Sequence, residues 1–181
     1  AEGVIYKIQG SGSFFAGETQ DDLKHSYLIG VIVPRLSFYI YPQIIQGIDD
    51  IAHGKHYNIV LGSSDVSPEK ELVRVEQLLK KNIDGLLIEP SGGFQDFEHS
   101  QNFRVLKEVS IPVVFMDCVI NDPETSYVSP DDPEGGFRAT SYLIEAGHRR
   151  IACVCPNDNI PGMKRYQGYR KALETYEVEY D

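Results

Sequence analysis

The feature that most constrains this chain is a recurring pair: a short, continuously apolar run, then a segment with apolar residues at helical spacing. Leu28-Ile29-Gly30-Val31-Ile32-Val33 has no polar alternation, which marks a strand buried on both faces. Pro42 then opens a helical stretch with Ile44, Ile45, Ile48 and Ile51 on one stripe, stopping near Gly54. The pair repeats. Tyr57–Leu61 reads as a strand, and Ser67-Pro68 as the cap of a helix carrying Leu72, Val75, Leu78 and Leu79. Gly85–Ile88 is a third strand, Phe103–Val109 the last turns of a helix, and Pro112–Met116 a fourth strand. A short extended piece at Tyr127-Val128 follows. Asp132-Pro133 then opens a helix that ends at Gly147, with Asp132 as its expected cap. Ile151–Cys155 reads as another buried strand, and a last helix runs from about Met163 to Tyr176. Such alternation predicts an α/β fold, a doubly wound parallel sheet whose ligands bind beyond the carboxyl ends of the strands. The first residues differ: Val4–Ile8, Gly10-Ser11-Gly12 and Ser13–Phe15 read as a β-hairpin, followed by a polar linker.

Charge and cysteine content exclude several classes. With 17 Lys and Arg against 27 Asp and Glu, the net charge is −10, unsuited to gripping phosphates. Three cysteines make no disulfide framework and suit a reducing, cytoplasmic setting. Cys153-Val-Cys155 lacks the C-x-x-C spacing of a thioredoxin-like site, and both thiols are expected in the core with sulfurs on opposite faces of a strand. No run approaches the length of a membrane span, and Ala1–Lys7 is not a signal peptide. The loop after the first buried strand, Pro34–Tyr39, has no glycine, and neither a dinucleotide fingerprint nor a P-loop occurs elsewhere. His25, His53, His56, His99 and His148 are scattered, so neither a metal nor a cofactor is expected, and no acid, base or nucleophile constellation points to an enzyme.

The strand-end loops hold aromatic and hydrogen-bonding groups instead. Ser37, Phe38, Tyr39 and Tyr41 follow the first strand of the sheet; Ser63, Ser64 and Asp65 the second; Glu89 ends the third; Lys164 and Arg165 open the last helix. Aromatic faces stack on the C–H side of a sugar ring, while carboxylates and guanidinium forks satisfy its hydroxyls. The same residues also suit a structural part, with Phe38 and Tyr41 plugging the strand end and Lys164 and Arg165 on a solvated helix face.

Four segments in order resemble the LacI/GalR family of sugar-responsive repressors: Ile29–Pro34, Val128–Gly136, Ala146-Gly147-His148-Arg149-Arg150-Ile151 and Arg165-Tyr166-Gln167-Gly168. The likeness covers about residues 28–175. The hairpin is similar to the wing of GntR-type winged helix-turn-helix domains, from Gly3-Val4-Ile5-Tyr6 to Gly10-Ser11-Gly12-Ser13-Phe14. Together these imply a hybrid regulator of periplasmic-binding-protein-like type I fold. Residues 1–17 are then the wing of a truncated DNA-binding domain, 18–27 a linker, 28–132 the first effector-binding subdomain, and 133–181 the beginning of an incomplete second one. The implied effector is a small sugar, a pentose such as arabinose first. It is held by Ser37, Tyr39, Glu89, Asp131, Lys164 and Arg165. The implied partner is operator DNA, bound through a domain upstream of Ala1 by a homodimer. A transport protein of the same fold is the alternative, and an upstream signal peptide in place of a winged helix would mark it.

Overall fold

Strand β3, Leu28–Val33, lies at the centre of the fold because neither of its faces tolerates water: Val31, Ile32 and Val33 are wholly buried. In this computed structural model, residues 5–8, 12–15, 25–38, 40–91, 94–156 and 160–180 are described. Strands β1 (Ile5–Ile8) and β2 (Gly12–Phe15) pair antiparallel, Ile5 opposite Phe15 and Ile8 opposite Gly12, as the hairpin signals require. The remaining strands are β4 (Asn58–Ser63), β5 (Gly85–Ile88), β6 (Val113–Met116) and β7 (Ser126–Val128). They join β3 in one parallel sheet of order β4-β3-β5-β6-β7.

The order reverses next to β3. The chain leaves β3 for β4 on one side, then crosses to β5 on the other, so the connections after β3 and β5 diverge and open a crevice at their carboxyl ends. Helices α1 (Tyr41–Gly54), α2 (Pro68–Leu79) and α3 (Gln101–Glu108) make the connections, with a 3₁₀ turn at Phe94–His99 before α3. Ser67 caps α2 as the sequence suggests, its Oγ accepting the Lys70 N–H at 3.2 Å, and Ser100 Oγ caps α3 by accepting the Phe103 N–H at 3.1 Å. Val75 and Leu78 of α2 and Leu106 of α3 pack with Ile32, Leu86 and Ile88 of the sheet. Phe97, Phe103 and Phe115 close this core with ring centroids 5.6–5.8 Å apart.

Beyond β7 the chain forms α4 (Asp132–Glu145) and α5 (Ile160–Thr175), which pack with their backbones nearly touching. Two glycines allow this. A Cβ at Gly136 would press on the Arg165 carbonyl group, and one at Gly168 on the Pro133 carbonyl and, at 2.6 Å, on the Phe137 nitrogen. Gly168 is the glycine of the Arg165–Gly168 motif, and close helix contact is its physical reason. A second apolar cluster, Ile144, Tyr169, Leu173 and Val178, lies along this pair.

Two expectations fail here. Asp132 does not cap α4. Asp131 does, its Oδ1 accepting the Glu134 N–H at 3.0 Å, while Asp132 is the first helical residue and is buried. Nor is Ile151–Cys155 a strand. Burial alternates as in one, with Ile151, Cys153 and Cys155 half-buried and Val154 fully exposed, but no ladder forms. A strand needs a neighbour's hydrogen bonds, and no strand lies beside this segment among the described residues.

Candidate functional site

A cleft of about 960 Å³ opens at the carboxyl ends of β3 and β5, where the sheet order reverses. Pro34, Tyr41, Val66, Glu89, Pro90 and Asp117 form one wall. The first turns of α4, the 151–156 segment and the start of α5, including Arg165 and Tyr169, form the other.

Glu89 ends β5 and is 5% exposed. Its Oε1 accepts the hydroxyl of Tyr41, in the first turn of α1, at 2.9 Å. Burial pushes the Glu89 carboxyl up to about 7; the Tyr41 hydrogen bond opposes the shift and the neighbouring Asp117 charge adds to it. The Tyr41 phenol is raised as well, by burial first and then by the Glu89 charge. Asp117 ends β6 in a left-handed turn, φ 53°. Burial, then the charge of Asp132, raises its carboxyl, while Arg165 pulls the other way.

Across the cleft Arg165 Nε bonds Asp132 Oδ1 at 2.7 Å. The Asp132 side chain is 6% exposed and that of Arg165 47%, so the pair has one buried end and one end in the cleft. Carboxylates on one wall, a guanidinium on the other and tyrosines on both make a polyol-sized site with acceptors and donors facing each other.

Of the residues the sequence points to, Glu89 and Arg165 lie on this cleft. Lys164 is half-buried in a small neighbouring recess with Asp117, Ser129 and Asp132. Ser37 is exposed in the turn after β3, and Asp131 is occupied as the cap of α4. Tyr39 lies outside the described residues. Asp117 was missed as a cleft residue, and Asp132 as the buried partner of one. An acid directly after a strand of the parallel sheet was the available signal for Asp117; Asp132 had none, because its partner is 33 positions away.

The two thiols also correct the sequence reading. Residues two apart on an extended segment share a face. Cys153 and Cys155 both line the cleft and hydrogen-bond each other; burial and that bond raise the Cys153 thiol. Neither is fully buried, because the segment has no ladder to enclose it. Among the described residues no group of three or more His, Cys, Asp or Glu could hold a metal ion, and no helix is long and apolar enough to cross a membrane.

Comparison with known proteins agrees with this geometry. The family described as periplasmic binding proteins and sugar binding domain of LacI family matches residues 26–180. The chain is 32% identical over 177 residues to the arabinose metabolism transcriptional repressor of Geobacillus stearothermophilus, covering 98% of this chain and 49% of that protein. It is 31% identical to the protein of the same name from Halalkalibacterium halodurans, covering 94% and 47%. The crystal structure of the transcription regulator CcpA of Lactococcus lactis superposes with a TM-score of 0.71 at 29% identity, over 85% of this chain and 55% of that one. The chain thus spans about half the length of the curated relatives it matches.

Proposed function

Because the chain belongs to the family of periplasmic binding proteins and LacI-type sugar-binding domains, we propose that it is part of the sensor of a sugar-responsive transcriptional repressor, of the arabinose-repressor group. The observation that carries this reading is the facing pair Tyr41–Glu89 and Arg165–Asp132 across one cleft. A sugar in that cleft donates to Glu89 and Asp117 and accepts from Arg165, so it bridges the sheet side of the cleft and the α4–α5 side. Closure around the sugar shifts one side against the other. Differential affinity for the closed state is what such a switch needs, and about 1–3 kcal/mol gives a 5- to 150-fold effect.

The hairpin of β1 and β2 is, in this reading, the wing of a GntR-type head that grips operator DNA, in a homodimer. Its antiparallel pairing supports that, and so does the similarity to the arabinose metabolism repressors, which extends across 98% of the chain in the first of them. L-Arabinose is the first effector to try. Calorimetric titration of the full-length protein with L-arabinose, D-xylose and D-ribose tests the proposal. Saturable binding of one of them is expected, weakened by about 2 kcal/mol or more in Arg165→Ala because a buried acceptor is stranded. Binding of none of them, or identical affinity in wild type and Arg165→Ala, refutes it.

A further inference from the structure

The turn after β4 holds two consecutive residues in the left-handed region, Asp65 at φ 51° and Val66 at φ 61°. Asp tolerates that region; a β-branched residue does not, because its Cβ crowds the backbone. Strain of this kind persists only where the surroundings over-determine it, and here they do. Ser64 is wholly buried, and its Oγ accepts the hydroxyl of Ser91 in the loop after β5. Ser91 donates its backbone N–H to the carboxylate of Glu71, itself fully buried on α2. The Asn102 amide donates to the other Glu71 oxygen at 2.7 Å and to the Pro68 carbonyl at 2.9 Å. On the outer side Lys70 Nζ holds Asp65 Oδ2 at 2.9 Å. One polar network therefore ties the β4 and β5 loops to each other and to α2 and α3. These are the loops that carry Val66 and Glu89 into the cleft.

The backbone at position 66 suits Gly or Asn best. The turn therefore does not account for a valine, and its side chain, 49% exposed and lining the cleft, does. We propose that Val66 is a specificity-determining wall of the sugar cleft, held in place by the Ser64–Ser91–Glu71–Asn102 network. It selects sugars that present a C–H face, or lack a hydroxyl, at that point. This rests on the sugar-sensor reading above. Valine offers no donor or acceptor, so a hydroxyl pressed against it loses water and gains no partner. Glu89 and Tyr41 on the same wall supply the polar contacts, so the ligand that fits is polar along one edge and apolar along another.

Calorimetry on full-length wild type, Val66→Gly and Val66→Asn, with L-arabinose, D-xylose, D-ribose and D-galactose, tests this. Both variants suit the left-handed backbone and are expected to melt at or above the wild-type temperature. The sugar preferred by wild type should bind Val66→Gly about tenfold weaker or more, the worth of a lost apolar contact. Val66→Asn should narrow the gap between that sugar and a competitor with an added hydroxyl or hydroxymethyl group by a similar factor. Variants that melt higher but keep every affinity and the ranking within about twofold would overturn the proposal and leave Val66 as a strained turn residue. Wild type binding none of the four sugars sinks the sensor reading itself, a failure visible before any variant is compared.

Discussion

Replacing Gly168 by alanine tests the packing of α4 against α5, and through it the placement of Arg165. The new methyl group would lie 2.6 Å from the Phe137 nitrogen and closer still to the Pro133 carbonyl oxygen. Both obstacles are backbone, so no side chain can swing aside. Bringing the 2.6 Å contact to an ordinary separation near 3.4 Å already asks most of an ångström of α5, and clearing the closer Pro133 carbonyl asks more. Overpacking of this kind costs about 1–3 kcal/mol, here toward the upper end because nothing flexible yields. Alanine's better helix propensity returns about 1 kcal/mol, leaving a net loss of about 2 kcal/mol. Gly135 is the control. It lies in α4 with nothing within 4 Å of an added methyl group, so Gly135→Ala should stabilise by up to about 1 kcal/mol. Urea denaturation of the two variants against wild type measures the difference directly. Sugar affinity should fall further in Gly168→Ala than stability does, since the shift moves Arg165, one turn away, off its 2.7 Å bond to Asp132. If Gly168→Ala proves as stable as wild type, or rises with Gly135→Ala, the close-contact reasoning is wrong.

Glu89 makes stability depend on pH. Its folded carboxyl is raised to about 7 from an ordinary 4.5, so between those values the folded state binds more protons than the unfolded one. Its contribution is present in full below about 4.5 and is lost as pH climbs through 7, by about 3 kcal/mol in all; Glu89→Gln should flatten that part of a stability-versus-pH curve, and an unchanged slope would refute the assignment. Asp131→Ala should cost about 1 kcal/mol in denaturant melts through loss of the α4 cap, with Asp131→Asn nearly neutral. Residues 1–181 should show no salt-resistant, submicromolar duplex binding in a gel shift, since net charge is −10 and Lys7 is the only cation before Gly17.

The parallel sheet was legible because its signal is local. A strand buried on both faces writes itself as an unbroken apolar run, and Val31, Ile32 and Val33 do so whatever surrounds them. The cap at Ser67 differs in this respect from the one at the start of α4. Asp131 and Asp132 are adjacent acids before a proline, chemically equivalent on paper. Only the phase at which the helix starts decides which carboxylate reaches the Glu134 N–H and which turns inward to Arg165. Glu89 and Arg165 could be picked out because one directly follows a strand and the other lies in the first turns of the last helix. The network of Ser64, Glu71, Ser91 and Asn102 could not, since its members are spread over 39 positions with no common period, and Glu71 looks like any acid in a first helical turn. Ile151–Cys155 has the composition of a strand, but composition does not supply the neighbouring ladder.

The order of strands has a kinetic meaning. Every pairing in the five-stranded sheet is completed within residues 28–128, by strands that emerge one after another. During synthesis at about 5–20 residues per second, that stretch takes roughly 5–20 s to appear, long compared with the folding of a small α/β unit. The wall bearing Glu89 can therefore be standing before α4 and α5 are made. The helices α4 and α5 then assemble against that surface, and Asp132 meets Arg165 only once α5 has been made.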